Sequence, residues 1–230
     1  MRPQRKRPKI ILPKILPFGR NRAIVVIGGS FAERDAAIKA RELGRKLSKL
    51  PVKLYVGLPF GVPGEAAKGF IRSKRLARNC SLFFPSMFKL TLKELHQLRK
   101  ADIKFLEKEM GKMMKKELSE FKFHPQVKFA GLDMTERRVI LGSAGHITIA
   151  LGGGSGTMHE AMVSLNQGKP TILIESHGGS AKDLSQEREL KKSYPNLFVA
   201  KDVKEAAEIA KKIIYGGYVS GYIPKKKYKS

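Results

Sequence analysis

The sequence predicts an α/β protein: a doubly wound, mostly parallel sheet with helices on both faces and a helical insertion. Short β-branched runs alternate with stretches whose apolar residues recur at helical spacing. Glycine-rich turns follow several of those runs directly, at 28–30, 57–64 and 152–156. The runs are continuously apolar, as strands buried on both faces are.

The chain has 230 residues, enough for one domain with an insertion and for a core that needs no disulfide. Cys80 is the only cysteine, which excludes an intramolecular disulfide and a cysteine-built metal site and fits a reducing, cytoplasmic setting. No apolar run approaches the roughly 20 residues of a membrane span. Residues 1–22 carry Arg2, Arg5, Lys6, Arg7, Lys9, Lys14, Arg20 and Arg22 and no acid. Their apolar pieces are broken by Pro13 and Pro17, too short for a signal-peptide core, and the serines of a transit peptide are missing. They read as a flexible basic arm. The net charge of +26 implies nonspecific attraction to polyanions at low salt. It equally fits a Lys-rich surface suited to a salty or hot cell.

The main domain is expected over 23–214. Residues 23–27, Ala-Ile-Val-Val-Ile, form a buried strand, and Gly28, Gly29 and Ser30 make a turn able to approach an anion. Ala36, Ala37, Ala40, Leu43 and Leu47 mark a helix over 32–50 that Pro51 stops. A strand at 52–56 leads into a Gly/Pro-dense loop at 57–64, best read alone as turn chemistry, and a short helix at 65–71. Residues 71–124 leave the α/β rhythm and read as the helical insertion. Within it 91–118 has an amphipathic helical pattern with a strongly basic face, opened by a Thr91–Glu94 capping box.

A strand at 126–130 precedes a helix over 133–143, with Asp133 as N-cap. The strand at 147–151 runs into Gly152, Gly153, Gly154, Ser155, Gly156 and Thr157, and a helix with Ala161, Met162 and Leu165 follows. Strand, glycine loop and helix form the arrangement a phosphate requires: the glycines admit close approach, and the first helical N–H groups and the dipole attract the anion. Thr157 and Glu160 are also spaced as a capping box, so Glu160 is as well placed to start the helix as to act chemically. Gly168 suits that helix's end. A strand at 171–174, a loop at 176–180, a helix at 181–192, a strand at 197–200 and a helix at 203–214 complete the pattern. Residues 215–230 form a basic tail. The loops at Gly28, Gly57, Gly152 and Ser176 are expected on one edge of the sheet, where they can converge on one ligand.

Met134, Thr135, Glu136, Arg137 and Arg138, then a strand, then Gly152 to Thr157 and Glu160, resemble the paired motifs of the LOG family, Met-x-x-Arg-Lys and Pro-Gly-Gly-x-Gly-Thr-x-x-Glu. That family lies in the wider Rossmann-like SLOG superfamily. An earlier signature, Tyr-Gly-Gly-Gly-x-x-Gly-Leu-Met-Gly, is matched in part by Tyr55, Gly57, Gly61 and Gly64. The departures are Gly152 for the motif proline, Arg138 for lysine, His146 for the aspartate usual before the last strand segment, and Val56 and Leu58 for glycines. Gly152 is expected to loosen the loop, and Val56 and Leu58 to crowd a base pocket.

The resemblance implies a nucleoside 5′-monophosphate phosphoribohydrolase, a hydrolase that cleaves the N-glycosidic bond of a cytokinin ribotide or an AMP-like nucleotide. It implies Arg137 and Glu160 as the catalytic pair, and Gly153, Gly154, Gly156 and Thr157 around the 5′-phosphate. Ser155, Met134, Arg138, Gly28, Gly29 and Ser30 complete the expected nucleotide site. It further implies a homodimer and no metal or other cofactor. Two alternatives stand beside it: a non-catalytic nucleotide-binding sensor or carrier, and a basic nucleic-acid-associated protein.

Overall fold

A computed structural model of the chain describes residues 22–84, 116–131 and 133–216. Seven described strands form one sheet: β1 (Ala23–Gly28), β2 (Lys53–Val56), β3 (Cys80–Phe84), β4 (Gln126–Phe129), β5 (Ile147–Leu151), β6 (Thr171–Ile174) and β7 (Leu197–Ala200). Their order is β4-β3-β2-β1-β5-β6-β7, and every neighbouring pair is parallel. The chain builds outward from β1 on one side, then returns to start β5 on the other. The crevice between the carboxyl ends of β1 and β5 is therefore the topological switch point, where such sheets bind ligands.

The helices described in full are α1 (Arg34–Leu47), α2 (Gly61–Phe70), α3 (Lys74–Arg78), α4 (Met134–Ala144), α5 (Ser155–Asn166), α6 (Gly179–Gln186), α7 (Arg188–Ser193) and α8 (Val203–Gly216), with a 3-10 turn at Glu175–His177. Alternate residues of β1 point to opposite faces, and both sets are buried. Ile24 and Val26 pack with Leu43 of α1, Phe70 of α2 and Ile213 of α8. Val25 and Ile27 pack with Leu141 of α4, Ala161 of α5 and Leu184 of α6. Each fully buried Ile or Leu contributes about 1.5–3 kcal/mol, so this two-sided burial dominates the fold. Gly44 faces the Ala66 carbonyl and Gly69 the Arg41 carbonyl, so bare backbone lets α1 and α2 approach closely.

The structure differs from expectation between 71 and 124. Cys80-Ser-Leu-Phe-Phe84 is a fully buried strand that joins β2 to β4. Its short apolar run is masked in the sequence by the basic cluster of Arg72, Lys74, Arg75 and Arg78 beside it. Those cations sit on and around α3, whose Ser73 side chain caps it by accepting from the Leu76 N–H. The amphipathic pattern of 91–118 lies, except for its last residues, outside the described residues, as do the basic arm and most of the tail. The helix expected at 181–192 is two helices, α6 and α7, separated at Glu187. The described residues 116–121 are tied down by Lys68 of α2, which is bonded to Glu117 (2.9 Å), Glu65 (3.1 Å) and Glu120.

Candidate functional site

Arg137 reaches the switch point because α4 starts where it does. The Asp133 carboxylate accepts from the N–H groups of Thr135 (2.8 Å) and Glu136 (2.9 Å), which fixes the first turn and sets Arg137 on its inner side. Glu160 lies in the second turn of α5. The two helices pack closely where Gly142 of α4 meets the Glu160 carbonyl and Val163. Arg137 Nη1 then donates to Glu160 Oε1 at 2.9 Å, with both side chains more than nine-tenths buried. Thr157 and Glu160 do not form a capping box: Gly154 is the N-cap and no side chain caps the helix.

This pair closes the floor of a cleft of about 190 Å³. Gly28, Gly29 and Ser30 form one wall, and Gly154, Ser155, Gly156 and Thr157 form the facing one. Met134, Arg137 and Arg138 come from α4, and Glu160 from α5. Of the residues expected at the site only Gly153 does not line the cleft. It lies in the turn behind, with φ +88°, and its missing side chain leaves room for that of Thr157. Gly156 similarly leaves space over which Arg138 lies, with Nε 3.0 Å from where a Cβ would be. Arg138 thus stands beside the first turn of α5, whose leading N–H groups have no intrahelical acceptor.

Gly152 has φ +61°, a conformation closed to proline. The loop therefore follows a path the motif proline could not take, and it is not loose. The N–H groups of Ser180 and Ala181 donate to the carbonyls of Gly153 (2.8 Å) and Gly152 (3.2 Å), bracing it from behind. That is the role of the 176–180 loop, which does not reach the cleft. His177 instead bridges Ser176 (2.6 Å) to Asp35 (2.8 Å) at the start of α1. His146 is also away from the cleft, where its Nδ1 accepts from the Ala23 N–H at 3.1 Å and so helps pair β1 with the start of β5.

The sequence reading expected Leu58 at the cleft and missed the rest of its apolar half: Ile27, Phe60, Pro63 and Leu141. Val56, expected to crowd it, is buried in β2 and does not line it, whereas Leu58 does. Gly57, read as turn chemistry, is an essential neighbour. A methyl group there would overlap Arg137 Nη1 and stand 3.1 Å from its Cζ. The partial Tyr-Gly-Gly-Gly match was the signal for it.

Burial governs the electrostatics. Desolvation raises the Glu160 carboxyl to about 7, although Arg137 and then Arg138 pull it down. Desolvation likewise lowers Arg137 from its ordinary value, against the pull of Glu160. The close pair keeps Arg137 charged, so the titrating member is Glu160. Arg137 Nε is buried with no hydrogen-bond partner among the described residues, a donor left over inside the site. The cleft can therefore receive an anion at the α5 terminus and offers a carboxyl that exchanges its proton near neutrality. Among the described residues no group of three or more His, Cys, Asp or Glu side chains could hold a metal, and no helix is long and apolar enough to cross a membrane.

Comparison with known proteins agrees with this geometry. The model of the SLOG cluster4 family matches residues 111–207, which contain both motif halves. The Moco carrier protein of Chlamydomonas reinhardtii is 21% identical, covering 85% of this chain and 99% of its own, with a TM-score of 0.58. The molybdenum cofactor binding protein of Rippkaea orientalis is 20% identical over 84% of this chain and 96% of its own, with a TM-score of 0.55. DNA processing protein A of Helicobacter pylori, which binds single-stranded DNA, is 12% identical over 83% of this chain and 80% of its own, with a TM-score of 0.54. No curated protein sequence matches the chain significantly. Over residues 111–207 the chain is similar to the SLOG cluster4 family, and over most of its length it shares the Rossmann-like fold of these structures.

Proposed function

We propose that the cleft binds a nucleoside 5′-monophosphate and hydrolyses its N-glycosidic bond, releasing free base and ribose 5-phosphate. The observation that carries this reading is the buried Arg137–Glu160 pair, with Glu160 raised to about 7, beside an uncapped helix terminus. In this reading the 5′-phosphate lies against the leading N–H groups of α5 and Arg138. Leu58, Phe60 and Pro63 offer an apolar wall to an adenine-like base.

Breaking the bond between C1′ and the base leaves its electron pair on the base nitrogen and builds positive charge on the ribose. Ionised Glu160 stabilises that charge and takes a proton from the water that adds to C1′, while the base gains a proton from solvent. Arg137 stays protonated at neutral pH and positions Glu160. No metal or cofactor enters this scheme. The reading extends to a cytoplasmic homodimer, for which exposed Val139 and Ile140 on α4 and Met158 on α5 offer apolar contact beside the site.

The test is base release from a panel of nucleoside 5′-monophosphates by wild type, Glu160→Gln and Arg137→Ala. Release by wild type alone supports the reading. A carrier or sensor is the second reading, favoured by the likeness to proteins that carry or bind the molybdenum cofactor. It is the outcome if AMP raises the melting temperature and no base is released.

A further inference from the structure

The amino-terminal edge of the sheet, opposite the cleft, holds a second concavity of about 480 Å³. The residue before β1, the α1–β2 turn, α3 and the end of α8 wall it. Its cations are Arg22, Lys49, Lys53 and Arg75, and among the described residues no Asp or Glu lines it. Lys49, Lys53 and Arg75 form no salt bridge with a described acidic residue. Asn79 adds an amide, and Tyr215, 61% exposed, adds an aromatic face.

Another observation places the same sign of field at this edge. His146 is held below its ordinary value by burial first, then by Lys169 and Arg22.

Helix dipoles account for part of the charge. α1 and α8 end at this edge, and each carboxyl end carries about half a negative charge that a cation relieves. Two such ends offset roughly one of the four cations. The same ends repel a compact phosphate from the floor of the pocket, so an anion has to meet the cations along the rim. A chain of spaced phosphates does that, and a base has Tyr215 to stack on.

We propose that this edge binds single-stranded nucleic acid without sequence preference, its phosphates running along Arg22, Lys49, Lys53 and Arg75 and a base stacking on Tyr215. The site is separate from the cleft and does not depend on what the cleft does.

The test is binding of a fluorescent oligothymidine to the full chain as salt is raised. It compares wild type with a Lys49→Ala, Lys53→Ala, Arg75→Ala triple variant, Tyr215→Ala and Tyr215→Phe. Each lost phosphate contact lowers the salt slope by about 0.7 for a single strand, so the triple variant should lose about 2. Tyr215→Ala should weaken binding about tenfold or more, and Tyr215→Phe should keep it. A triple variant with the wild-type slope, or a wild type that ignores the oligonucleotide at low salt, overturns the proposal. So does a chain that holds heparin and oligothymidine equally and is indifferent to Tyr215→Ala, since that describes a general polyanion surface. The Tyr215 pair decides the matter even where the triple variant melts early.

Discussion

Gly57→Ala tests whether the Arg137–Glu160 pair depends on a bare backbone position across from it. Gly57 is not among the glycines with positive φ, so alanine's backbone is tolerated and the effect is collision alone. The new methyl group would overlap Arg137 Nη1 and stand 3.1 Å from Cζ and 3.3 Å from Leu141 Cδ2. Asp133 anchors the start of α4, so the guanidinium has to yield, by roughly 1 Å to regain van der Waals distance. That stretches the 2.9 Å bond to Glu160 beyond hydrogen-bonding range. Breaking a buried pair by removing a partner costs about 3–5 kcal/mol. A displaced partner still screens part of the charge, so about 2–3 kcal/mol is expected, or a melting temperature lower by about 5–10 °C for a chain of this size. Glu160, deprived of its nearest cation, should titrate above its wild-type value of about 7. Thermal melts across pH give both readouts, and base release or the AMP-induced melting shift gives a third, with about a hundredfold loss of rate expected. A Gly57→Ala protein that melts, titrates and responds to AMP like wild type would refute the steric argument.

Other perturbations read the remaining parts. Glu160 has a folded value of about 7 against an ordinary 4.5, so the folded state binds the extra proton between them. Its stabilising contribution is complete below about 4.5 and is lost as pH rises through about 7, by about 3 kcal/mol in all. Glu160→Gln should flatten that fall in melting temperature between pH 5 and pH 8, whereas an equally steep fall in the variant would assign the slope to other groups. Gly153→Ala combines φ +88° with overlap of the Thr157 side chain. It should cost about 1–3 kcal/mol and weaken AMP binding, as read by calorimetry. Lys68→Met removes the cation that Glu65, Glu117 and Glu120 share, a set of bonds that raises Lys68 above its ordinary value although burial works to lower it. Faster amide exchange over 116–121 is expected, with α1 unaffected.

Much of the site was legible because its chemistry is local. Asp133 as a cap and the run from Gly152 as an anion-binding turn follow from residue type and spacing, whereas Arg137 stood out only through its resemblance to the LOG motif. What spacing could not settle was which role each residue takes. Thr157 and Glu160 satisfy a capping-box pattern, yet Gly154 takes the N-cap position, no side chain caps the helix, and Glu160 turns inward because Arg137 approaches from another helix. Phe60 and Pro63 were missed because a turn's apolar residues show their facing only after α2 packs. β3 was missed because a five-residue apolar run between basic stretches has no periodicity of its own.

The sequence by itself determined the alternation of strands and helices, the parallel sheet and the position of the glycine turns, since these follow from apolar runs and from residues that only certain backbones accept. Tertiary structure alone decided that β1 and β5 lie side by side, and with that everything that depends on distance. It set Arg137 2.9 Å from Glu160, which lies 23 residues further along the chain. It buried both, and so moved the Glu160 carboxyl to neutrality. It also gathered Lys49, Lys53, Arg75 and Tyr215 on the opposite edge. Desolvation and proximity are properties of packed neighbours, and no local pattern of residues encodes them.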